Sequence, residues 1–560
     1  MNRKKLKFIL IPVLTILLFT AYFISKSLLN RYSMHKDAIY AGVNDFFHSE
    51  NDINDYITHN QELIDIIHYD LDINIFPDEK EIEGEVIITA LAEKEAERIR
   101  LNFYDNMTIE NLTLNSSPVE FTHEDSGLIL IPEEIPVDTF LISIKYSGTP
   151  LNIGLSSFSF KQKNGNYVVS SLNEPTYAST WFPCNDKPDD KALLDIKITN
   201  YKNYTSVSNG VLVKEIVEND RKTSHWRSRY PTSTYLISIN SGVYEKISDQ
   251  YISGKDTMEV SYFVFPEDVK AAEKDFYQTP EMIEVFSKMF GEYPFIREKY
   301  SIVEFLWQSG AMENQTITAI GSNFVSGYGL FKDILIHELA HHWWGNAVGP
   351  KSWKDIWLNE GFATYSEALY FEAESGASSL QSTMFNNMSF PDKRLYNPEG
   401  YLLSSTIYDK GAWVLHMLRR EVGSEKFFEI LRNYFEKYKY KNASSFDFKA
   451  VCEETTGGNL EQFFKQWVFE GEERIELSVE IDSENVNGKW KHRIKVSQEQ
   501  NEKFEFPLDI ELFSGKDGKS KKLSFRINSR DTVLIPDYSD KIEDYKVDPD
   551  HWLLAEISKE

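Results

Sequence analysis

Apolar and polar residues alternate along the chain from Tyr69 to about Gly254. Segments such as EGEVIITALAE, RIRLNFYD and FLISIKYSG place an apolar side chain at every second position, between Gly, Pro, Asn and Asp residues. A period of two is typical of strands that bury one face. The pattern therefore predicts a β-sandwich-like domain over residues 63–254.

Helical spacing replaces this alternation from about residue 268. Apolar residues recur three and four positions apart in VKAAEKDFYQTPEMIEVFSKMFGEYPF, one strand-like stretch follows in KYSIVEFLW, and helical spacing continues to Gly471. Short alternating segments such as IELSVEID and WKHRIKVSQ return from Arg474. The sequence thus predicts a multidomain α+β protein, with an α-rich domain over 255–472 and a small C-terminal β-sandwich over 473–560.

The first 62 residues carry a targeting pattern. An uncharged apolar run extends from Phe8 to Ile24, and as a helix it would be about 25 Å long, a marginal membrane span. Four basic residues precede the run: Arg3, Lys4, Lys5 and Lys7.

By the positive-inside rule, this arrangement predicts a cytoplasmic tail over 1–7, a transmembrane signal anchor over 8–24 and an extracytoplasmic body on a single-pass protein of the cell membrane. A cleaved signal peptide, with Ser25-Lys26-Ser27 as its processing site, is the alternative. Residues 25–62 are polar and irregular, which predicts a linker.

Charge and cysteine content narrow the classes of partner. Acidic residues number 87 and basic residues 60, a net charge of −27 that would repel a phosphate backbone, so we expect no nucleic-acid partner. Cys184 and Cys452 are too few for a disulfide framework or a thiolate metal site. Any metal must therefore be held by histidine and carboxylate ligands.

Such ligands occur in the segment KDILIHELAHHWWGNAV, which has helical spacing. His337 and His341 are one helical turn apart on one face, where two imidazoles can bind the same ion. Glu338 projects beside them. A carboxylate at this place can accept a proton from a metal-activated water, so Glu338 is predicted to be the catalytic base.

A catalytic zinc ion takes three protein ligands and keeps one position for water. Glu360, nineteen residues after His341, lies in WLNEGFATYSE on a second predicted helix and is the predicted third ligand. Glu367 shares its helical face and could orient a ligand imidazole through the other ring nitrogen. His342 points away from the ligand face, which predicts a structural role. These residues predict one bound zinc ion.

A further motif precedes the metal ligands: Gly310-Ala311-Met312-Glu313-Asn314, with Glu313 24 positions before His337. Together, GAMEN, HELAHHWWGN and WLNEGFATY resemble the aminopeptidase N family of zinc metallopeptidases, the gluzincin aminopeptidases. The resemblance implies a thermolysin-like catalytic domain, and it implies that GAMEN lies on a strand at the edge of the active-site cleft. It also implies that Glu313 binds the free α-amine of a peptide, with its GAMEN neighbours in the substrate-binding segment.

Two other segments extend the resemblance. Tyr408, in TIYDKGAWVLHML, matches the tyrosine of the family that donates a hydrogen bond to the oxyanion. Glu174, in SLNEPTYASTWFPCND, matches a residue that helps hold the substrate amine. Leu172 and Ser179 stand where the family usually has a glutamine and an arginine, a departure that bears on the role of Glu174.

The resemblance runs from about Tyr69 to VDPDHWLL near the C-terminus. Many members carry a further helical domain that caps the active site, whereas this sequence stops after its small β domain. We therefore expect a more open cleft, or one covered by a second copy of the protein; the sequence does not indicate the oligomeric state.

The resemblance implies a zinc aminopeptidase that removes N-terminal residues from peptides with a free N-terminus, and the N-terminal apolar run adds the expectation that it is anchored in a membrane. Two alternatives remain open from the residues. A zinc endopeptidase would have no need of the free amine. A non-catalytic peptide-binding surface module that kept the fold would have no use for Glu338.

Overall fold

The computed structural model describes residues 61–559 except 93–97, 134, 136, 309, 390–392 and 515–518. The described residues all belong to one compact unit. Within them, no helix is both long and apolar enough to cross a membrane. The predicted tail (1–7), the anchor (8–24) and all but the end of the linker (25–62) lie outside the described residues and stay predictions.

The N-terminal region is built from strands, as the alternation predicts. They are β1 (Ile64–Phe76), β2 (Glu81–Ala92), β3 (Ile99–Asn102), β4 (Met107–Leu114), β5 (Ser117–Pro118), β6 (Glu120–Glu124), β7 (Gly127–Ile131), β8 (Thr139–Gly148), β9 (Phe158–Lys163), β10 (Asn166–Ser171), β11 (Ala192–Tyr201), β12 (Thr205–Val207), β13 (Val211–Glu218), β14 (Arg221–Thr232) and β15 (Asn240–Gly242).

These strands form three sheets. The largest has eight strands in the order β13-β14-β11-β1-β2-β8-β4-β5, and β1 pairs antiparallel with β2 but parallel with β11. The other two have the orders β12-β15-β10-β9 and β3-β7-β6. From Tyr69 to Ile75, every second residue of β1 is buried. The hydrophobic alternation therefore forms the core of this domain.

A five-stranded sheet supports the centre of the molecule. Its strands are β16 (Glu245–Ser253), β17 (Asp256–Val264), β18 (Lys299–Phe305), β19 (Ala311–Met312) and β20 (Ile317–Gly321), in the order β16-β17-β18-β20-β19. This sheet begins at Glu245, in the first strand of the β16–β17 hairpin. The domain boundary predicted at residue 254 therefore falls inside that hairpin. Alternation shows that a strand has one buried face, but it does not show which sheet the strand joins.

Helices follow this sheet through the α-rich region. They are α1 (Val269–Phe276), α2 (Thr279–Phe290), α3 (Lys332–Ala340), α4 (Trp357–Ser375), α5 (Ala377–Asn386), α6 (Gly411–Val422), α7 (Ser424–Tyr438), α8 (Ser445–Thr456) and α9 (Glu461–Phe464). Two π-helical turns precede α6 and follow α9, at Thr406–Lys410 and Lys465–Phe469. Two short strands, β21 (Val348–Pro350) and β22 (Lys441–Ala443), pair in parallel. Single 3₁₀ turns occur at Gln61–Leu63, Ala178–Thr180, Thr234–Leu236, Ser322–Phe324 and Trp353–Asp355.

Helix α4 is the centre of the helical core, because all but one of its residues from Trp357 to Tyr370 are buried. It crosses α6 at two glycines. A Cβ atom on Gly361 would lie 2.8 Å from Gly411 Cα, which is shorter than any ordinary contact. The missing side chains therefore allow the two helix backbones to touch.

The C-terminal region returns to strands, as predicted. They are β23 (Ile475–Val486), β24 (Lys489–Gln498), β25 (Phe506–Ser514), β26 (Lys519–Ile527), β27 (Asp531–Leu534), β28 (Asp544–Val547) and β29 (Ala555–Lys559). They form one sheet of order β27-β24-β23-β29 and a second of order β26-β25-β28. Tyr545 links the two sheets, because its hydroxyl donates to the Val479 carbonyl at 2.8 Å.

Candidate active site

Helix α3 carries the first residues of the site, and it ends earlier than its sequence pattern suggests. The regular helix stops at Ala340, while His341 keeps helical angles at its C-terminal boundary. Beyond it, the amide groups of Asn346, Ala347 and Val348 bond to carbonyl groups five residues back. Trp343 and Trp344, which lie between the helix and this wider turn, are buried, and both rings contact the ring of Phe290.

The three predicted metal ligands lie together. His337 Nε2 is 3.1 Å from His341 Nε2, and Glu360 Oε2 is 3.2 Å from the first nitrogen and 3.3 Å from the second. Ligand atoms around a tetrahedral zinc ion are separated by about 3.3 Å when the bonds are near 2.0 Å. The spacing of this triangle of atoms therefore fits zinc.

Hydrogen bonds on the far side of each ring orient the imidazoles. Glu367 Oε1 lies 2.8 Å from His337 Nδ1, which is the contact expected for Glu367, and the Trp344 carbonyl lies 3.0 Å from His341 Nδ1. If both Nδ1 atoms donate to these acceptors, both Nε2 lone pairs point at Glu360. In that tautomer, three acceptor atoms converge on one position, which a metal cation can occupy.

The pKa values of these groups also show that positive charge is favoured at this position. Burial alone would raise the pKa of Glu360, yet the imidazoles of His341 and His337 lower it to about 2. Burial would lower the pKa of His341, but Glu313 and Glu360 raise it to about 9. Without metal, the site therefore holds protons, and a metal ion would displace them.

Glu338 is positioned beside this triangle with one carboxylate oxygen unengaged. It is buried, and Oε2 has no hydrogen-bond partner within the described residues. Burial raises its pKa to about 8, against the lowering effect of His337. A carboxyl group with a pKa near neutrality can both accept and return a proton.

A second group of carboxylates adjoins the metal triangle. Oxygen atoms of Glu174, Glu313 and Glu360 all lie within 4.8 Å of one another, and all three residues are buried. Oε1 of Glu174 and Oε1 of Glu313 have no hydrogen-bond partner in the described part of the chain. Burial is the main cause that raises the pKa of each of these two residues, with neighbouring carboxylates adding to it. A cationic group would relieve this repulsion.

The GAMEN segment occupies the place that the resemblance implies. Ala311 and Met312 form β19, the edge strand of the five-stranded sheet, and the Gly310 carbonyl accepts from Gly321 N at 3.0 Å. Met312 and Asn314 are buried, and the side-chain amide of Asn314 has no partner among the described residues. The segment thus places Glu313 at a sheet edge, directly beside the metal triangle.

Tyr408 lies in the π-helical turn before α6. Its ring stacks against that of His337, with ring centroids 6.0 Å apart and an interplanar angle of 25°. The crossing of α4 and α6 at Gly361 places this turn next to Glu360, because a Cβ on Gly361 would lie 3.1 Å from the Ile407 carbonyl. Two distant parts of the sequence therefore meet at the metal triangle.

The segment around Glu174 is anchored firmly in the N-terminal domain. Asn173 Nδ2 donates to the Thr234 and Ile237 carbonyls at 3.1 and 2.7 Å. Leu172 and Ser179 are fully buried. Their side chains therefore pack inside the domain, and Glu174 reaches the carboxylate group from this fixed base.

Sequence reasoning missed two tyrosines of the site. Tyr235 is buried. Its hydroxyl accepts a hydrogen bond from Asn359 Nδ2 at 3.2 Å and donates one to the Gly345 carbonyl at 3.3 Å. Burial, together with Glu174 among other groups, raises the pKa of both Tyr235 and Tyr401. No pattern distinguishes these two among 30 tyrosines.

Comparison with known proteins identifies the family. The Peptidase M1 N-terminal domain matches residues 66–236, and the Peptidase family M1 domain matches residues 275–467. The chain is 25% identical over 485 residues to the probable aminopeptidase 1 of Sulfurisphaera tokodaii, an alignment that covers 80% of this chain and 60% of that protein. The chain spans about half the length of other curated relatives.

Solved structures agree. A variant of the M1 zinc metallopeptidase of Deinococcus radiodurans, bound to a Tyr-Ser-Ala substrate, is 25% identical with a TM-score of 0.65, covering 74% of this chain and 95% of that one. The aminopeptidase A of Legionella pneumophila shares the fold at 17% identity, with a TM-score of 0.79 over 91% of this chain and 61% of that one. The two matched domains, together with the zinc-compatible triangle, show that the chain belongs to peptidase family M1, the family of the aminopeptidase N-like zinc enzymes.

Proposed function

We propose that this protein is a zinc-dependent aminopeptidase that releases N-terminal amino acids from peptides. The observation that carries the proposal is the pair of buried carboxylates, Glu174 and Glu313, beside the metal triangle; each has an oxygen with no hydrogen-bond partner among the described residues. A protonated α-amine supplies the positive charge that these groups require. An endopeptidase substrate, which has no charged amine at the cleaved residue, would leave them uncompensated.

The two sites together set the position of the cut. An ammonium group on Glu313 and Glu174 places the first peptide carbonyl at the metal triangle of His337, His341 and Glu360. Fixing both ends of the first residue in this way orients the scissile bond for attack. The cut then falls after residue one of the peptide.

The chemistry divides among the metal and three side chains. When bound, zinc polarises a carbonyl group and makes a water molecule more acidic. Glu338 takes the proton from the attacking water and passes it to the departing amine. Tyr408 donates a hydrogen bond to the oxygen atom on which negative charge develops. The names of relatives such as the probable aminopeptidase 1 support this assignment.

The test compares two peptides of the same sequence, one with a free and one with an acetylated N-terminus, with and without a zinc chelator. We expect the chain from residue 61 onward to cut only the free-amine peptide, one residue at a time and only with metal. The variant Glu313→Gln should raise KM for that peptide with zinc content unchanged.

Other outcomes identify the alternatives. Internal cleavage of both peptides would replace the proposal with a zinc endopeptidase. Binding of both peptides by the zinc-loaded protein without any cleavage would indicate a peptide-binding surface module.

We further propose that the catalytic body lies outside the cytoplasm, held at the cell membrane by residues 8–24. The basic residues before this apolar run and their scarcity after it support the orientation. We expect the full chain to remain in the membrane fraction, with its catalytic body open to added protease in intact cells. Recovery of a soluble form that begins after Ser27 would favour the cleaved signal peptide instead.

A further inference from the structure

His342 follows directly after a metal ligand but faces away from the metal. Its ring is fully buried, stacks against Tyr293 with centroids 5.7 Å apart, and meets Tyr300 edge-on at 5.0 Å. Both ring nitrogens are engaged. Nδ1 lies 3.2 Å from the Glu338 carbonyl, and Nε2 lies 3.2 Å from Thr316 N.

These two partners fix the tautomer of the ring. The Thr316 amide can only donate, so Nε2 accepts; the Glu338 carbonyl can only accept, so Nδ1 carries the proton and donates. A neutral imidazole therefore bridges two backbone groups. One belongs to the predicted base, and the other lies three residues beyond Glu313.

Thr316 has an unusual backbone conformation. Its φ angle is +67°, which is strained for a β-branched residue and persists only where the surroundings hold it. Its carbonyl accepts from Ser301 N at 3.0 Å and from Lys299 Nζ at 3.1 Å, and its hydroxyl accepts from Gly210 N at 2.8 Å. A hydrogen bond from the Thr316 amide to His342 Nε2 joins this strained residue to residues 337–348, which carry the two histidine ligands and are called the metal-binding segment.

The metal-binding segment also makes a hydrogen bond to the GAMEN motif itself. Asn346 Nδ2 donates to the Glu313 carbonyl at 2.7 Å. Two contacts therefore restrain Glu313. Asn346 bonds directly to its carbonyl, and His342 bonds to Thr316, three residues further along the chain. Strand β19 itself pairs with the sheet over only two residues.

We propose that His342 is a positioning residue for substrate recognition, which holds Thr316 in its strained conformation and thereby sets the distance from Glu313 to the metal-binding segment. The inference rests on the proposed role of Glu313 in binding the substrate amine. If His342 only filled space between the aromatic rings, an aromatic ring without nitrogen atoms would replace it without loss.

The experiment measures peptide binding by calorimetry in zinc-loaded protein that carries Glu338→Gln, a substitution that slows turnover of the peptide. The quantity of interest is the amine selectivity, the ratio of Kd for an N-acetylated peptide to Kd for the same peptide with a free N-terminus. Three variants are compared in this background. They are His342→Phe, which keeps a ring, His342→Gln, which can still accept from Thr316, and the double variant His342→Phe with Thr316→Gly.

We expect His342→Phe to lower the amine selectivity about tenfold, because small displacements of a binding group have large effects on recognition. His342→Gln should stay within about threefold of the parent, since its amide oxygen replaces Nε2 as acceptor. Thr316→Gly should restore most of the loss in the Phe variant, because glycine adopts φ +67° without strain. Zinc content should remain one ion per chain throughout.

Several outcomes would overturn the proposal. They are an unchanged selectivity in His342→Phe, an equal loss in His342→Gln, loss of zinc, or an equal weakening of both peptides. If His342→Phe does not fold, His342→Asn takes its place, since it keeps only the bond to the Glu338 carbonyl and should show the same loss. The proposed function is tested apart from this series, in protein that keeps Glu338: if that protein binds both peptides but cleaves neither, the proposed function is wrong. The selectivity series tests only the role of His342.

Discussion

The two ring nitrogens of His337 have different partners and different consequences. Nε2 faces His341 and Glu360, whereas Nδ1 bonds to Glu367. The Glu367 carboxylate fixes which nitrogen carries the proton and so directs the lone pair of Nε2 at the metal position. Metal affinity therefore depends on a residue that does not touch the metal.

Replacing Glu367 should weaken zinc binding without removing a ligand. We expect Glu367→Ala to lower zinc affinity about 10- to 100-fold, because the His337 ring loses its orienting acceptor. Competition with a zinc chelator of known affinity measures the change. Glu374→Ala is the matched control, since Glu374 is on the same helix but pairs with Lys332. Equal affinity in the Glu367 and Glu374 variants would contradict the argument.

Glu338 should act on the chemical step alone. We expect Glu338→Gln to lower kcat by about 10²- to 10⁴-fold, since the amide cannot accept the proton from water. Zinc content and the Kd of a free-amine peptide should change little, because Glu338 belongs to neither the metal triangle nor the Glu174–Glu313 pair. Steady-state kinetics and calorimetry on the same preparation separate these quantities. Near-normal kcat in this variant would exclude Glu338 as the base.

At the scale of elements, the crossing of α4 and α6 holds the site together. Glu360 lies directly before Gly361 on α4, and the turn with Tyr408 leads directly into Gly411 on α6. The helix backbones touch at these glycines, so their separation sets the separation of the third metal ligand and the tyrosine.

A side chain at this crossing should force the helices apart. In Gly361→Ala, the new Cβ would lie 2.8 Å from Gly411 Cα and 3.1 Å from the Ile407 carbonyl, both backbone atoms that cannot move aside alone. We expect the free energy of unfolding to fall by about 1–3 kcal/mol, together with a lower kcat. Denaturant unfolding measures the first effect. Gly458→Ala is the control, because Gly458 is exposed and a Cβ there would meet no backbone atom of the described residues within 4 Å. It should change neither quantity, and an equal effect in both variants would contradict the crossing argument.

The extent of sequence-based prediction also differs by element. The HELAH spacing predicts that His337 and His341 share a face, because a helix fixes which of its own side chains point the same way. Glu360 lies on another helix, so its approach to the two imidazoles depends on how α4 packs against α3, which local periodicity does not encode. The same periodicity extends past Ala340, where the chain widens into longer-range turns to bury two tryptophans. The partners of His342 and Tyr235 come from segments distant in sequence, and no local pattern encodes those contacts.

At the scale of the whole molecule, both flanking β domains are tied to the catalytic helices. Lys191 Nζ, from the N-terminal domain, donates to the Asn346 and Ala347 carbonyls at 2.7 and 3.1 Å. Arg420 on α6 makes two hydrogen bonds, of 2.6 and 3.1 Å, to the buried Asp509 carboxylate of β25. The N-terminal domain therefore contacts the metal-binding segment directly, whereas the C-terminal domain contacts α6, which crosses α4 beside Glu360.

Removal of zinc should therefore lower the thermal stability of the folded chain, and not only disturb the ligands. A metal that binds only the folded chain contributes about 4 kcal/mol at a free concentration 1,000 times its Kd. We expect chelation to lower the thermal midpoint by a few degrees, without loss of secondary structure before unfolding, and zinc to restore it. Calorimetry with and without chelator measures the shift.

The metal ligands themselves provide the decisive comparison for this prediction. Glu360→Ala removes one corner of the triangle that joins the end of α3 to α4, so its midpoint should no longer respond to chelator or added zinc. Gly458→Ala leaves the triangle intact and should respond as the parent does. If chelation removed zinc and the parent midpoint did not move, the ion would not be coupled to the packing of α3 against α4, and the structural role assigned to the triangle would be wrong.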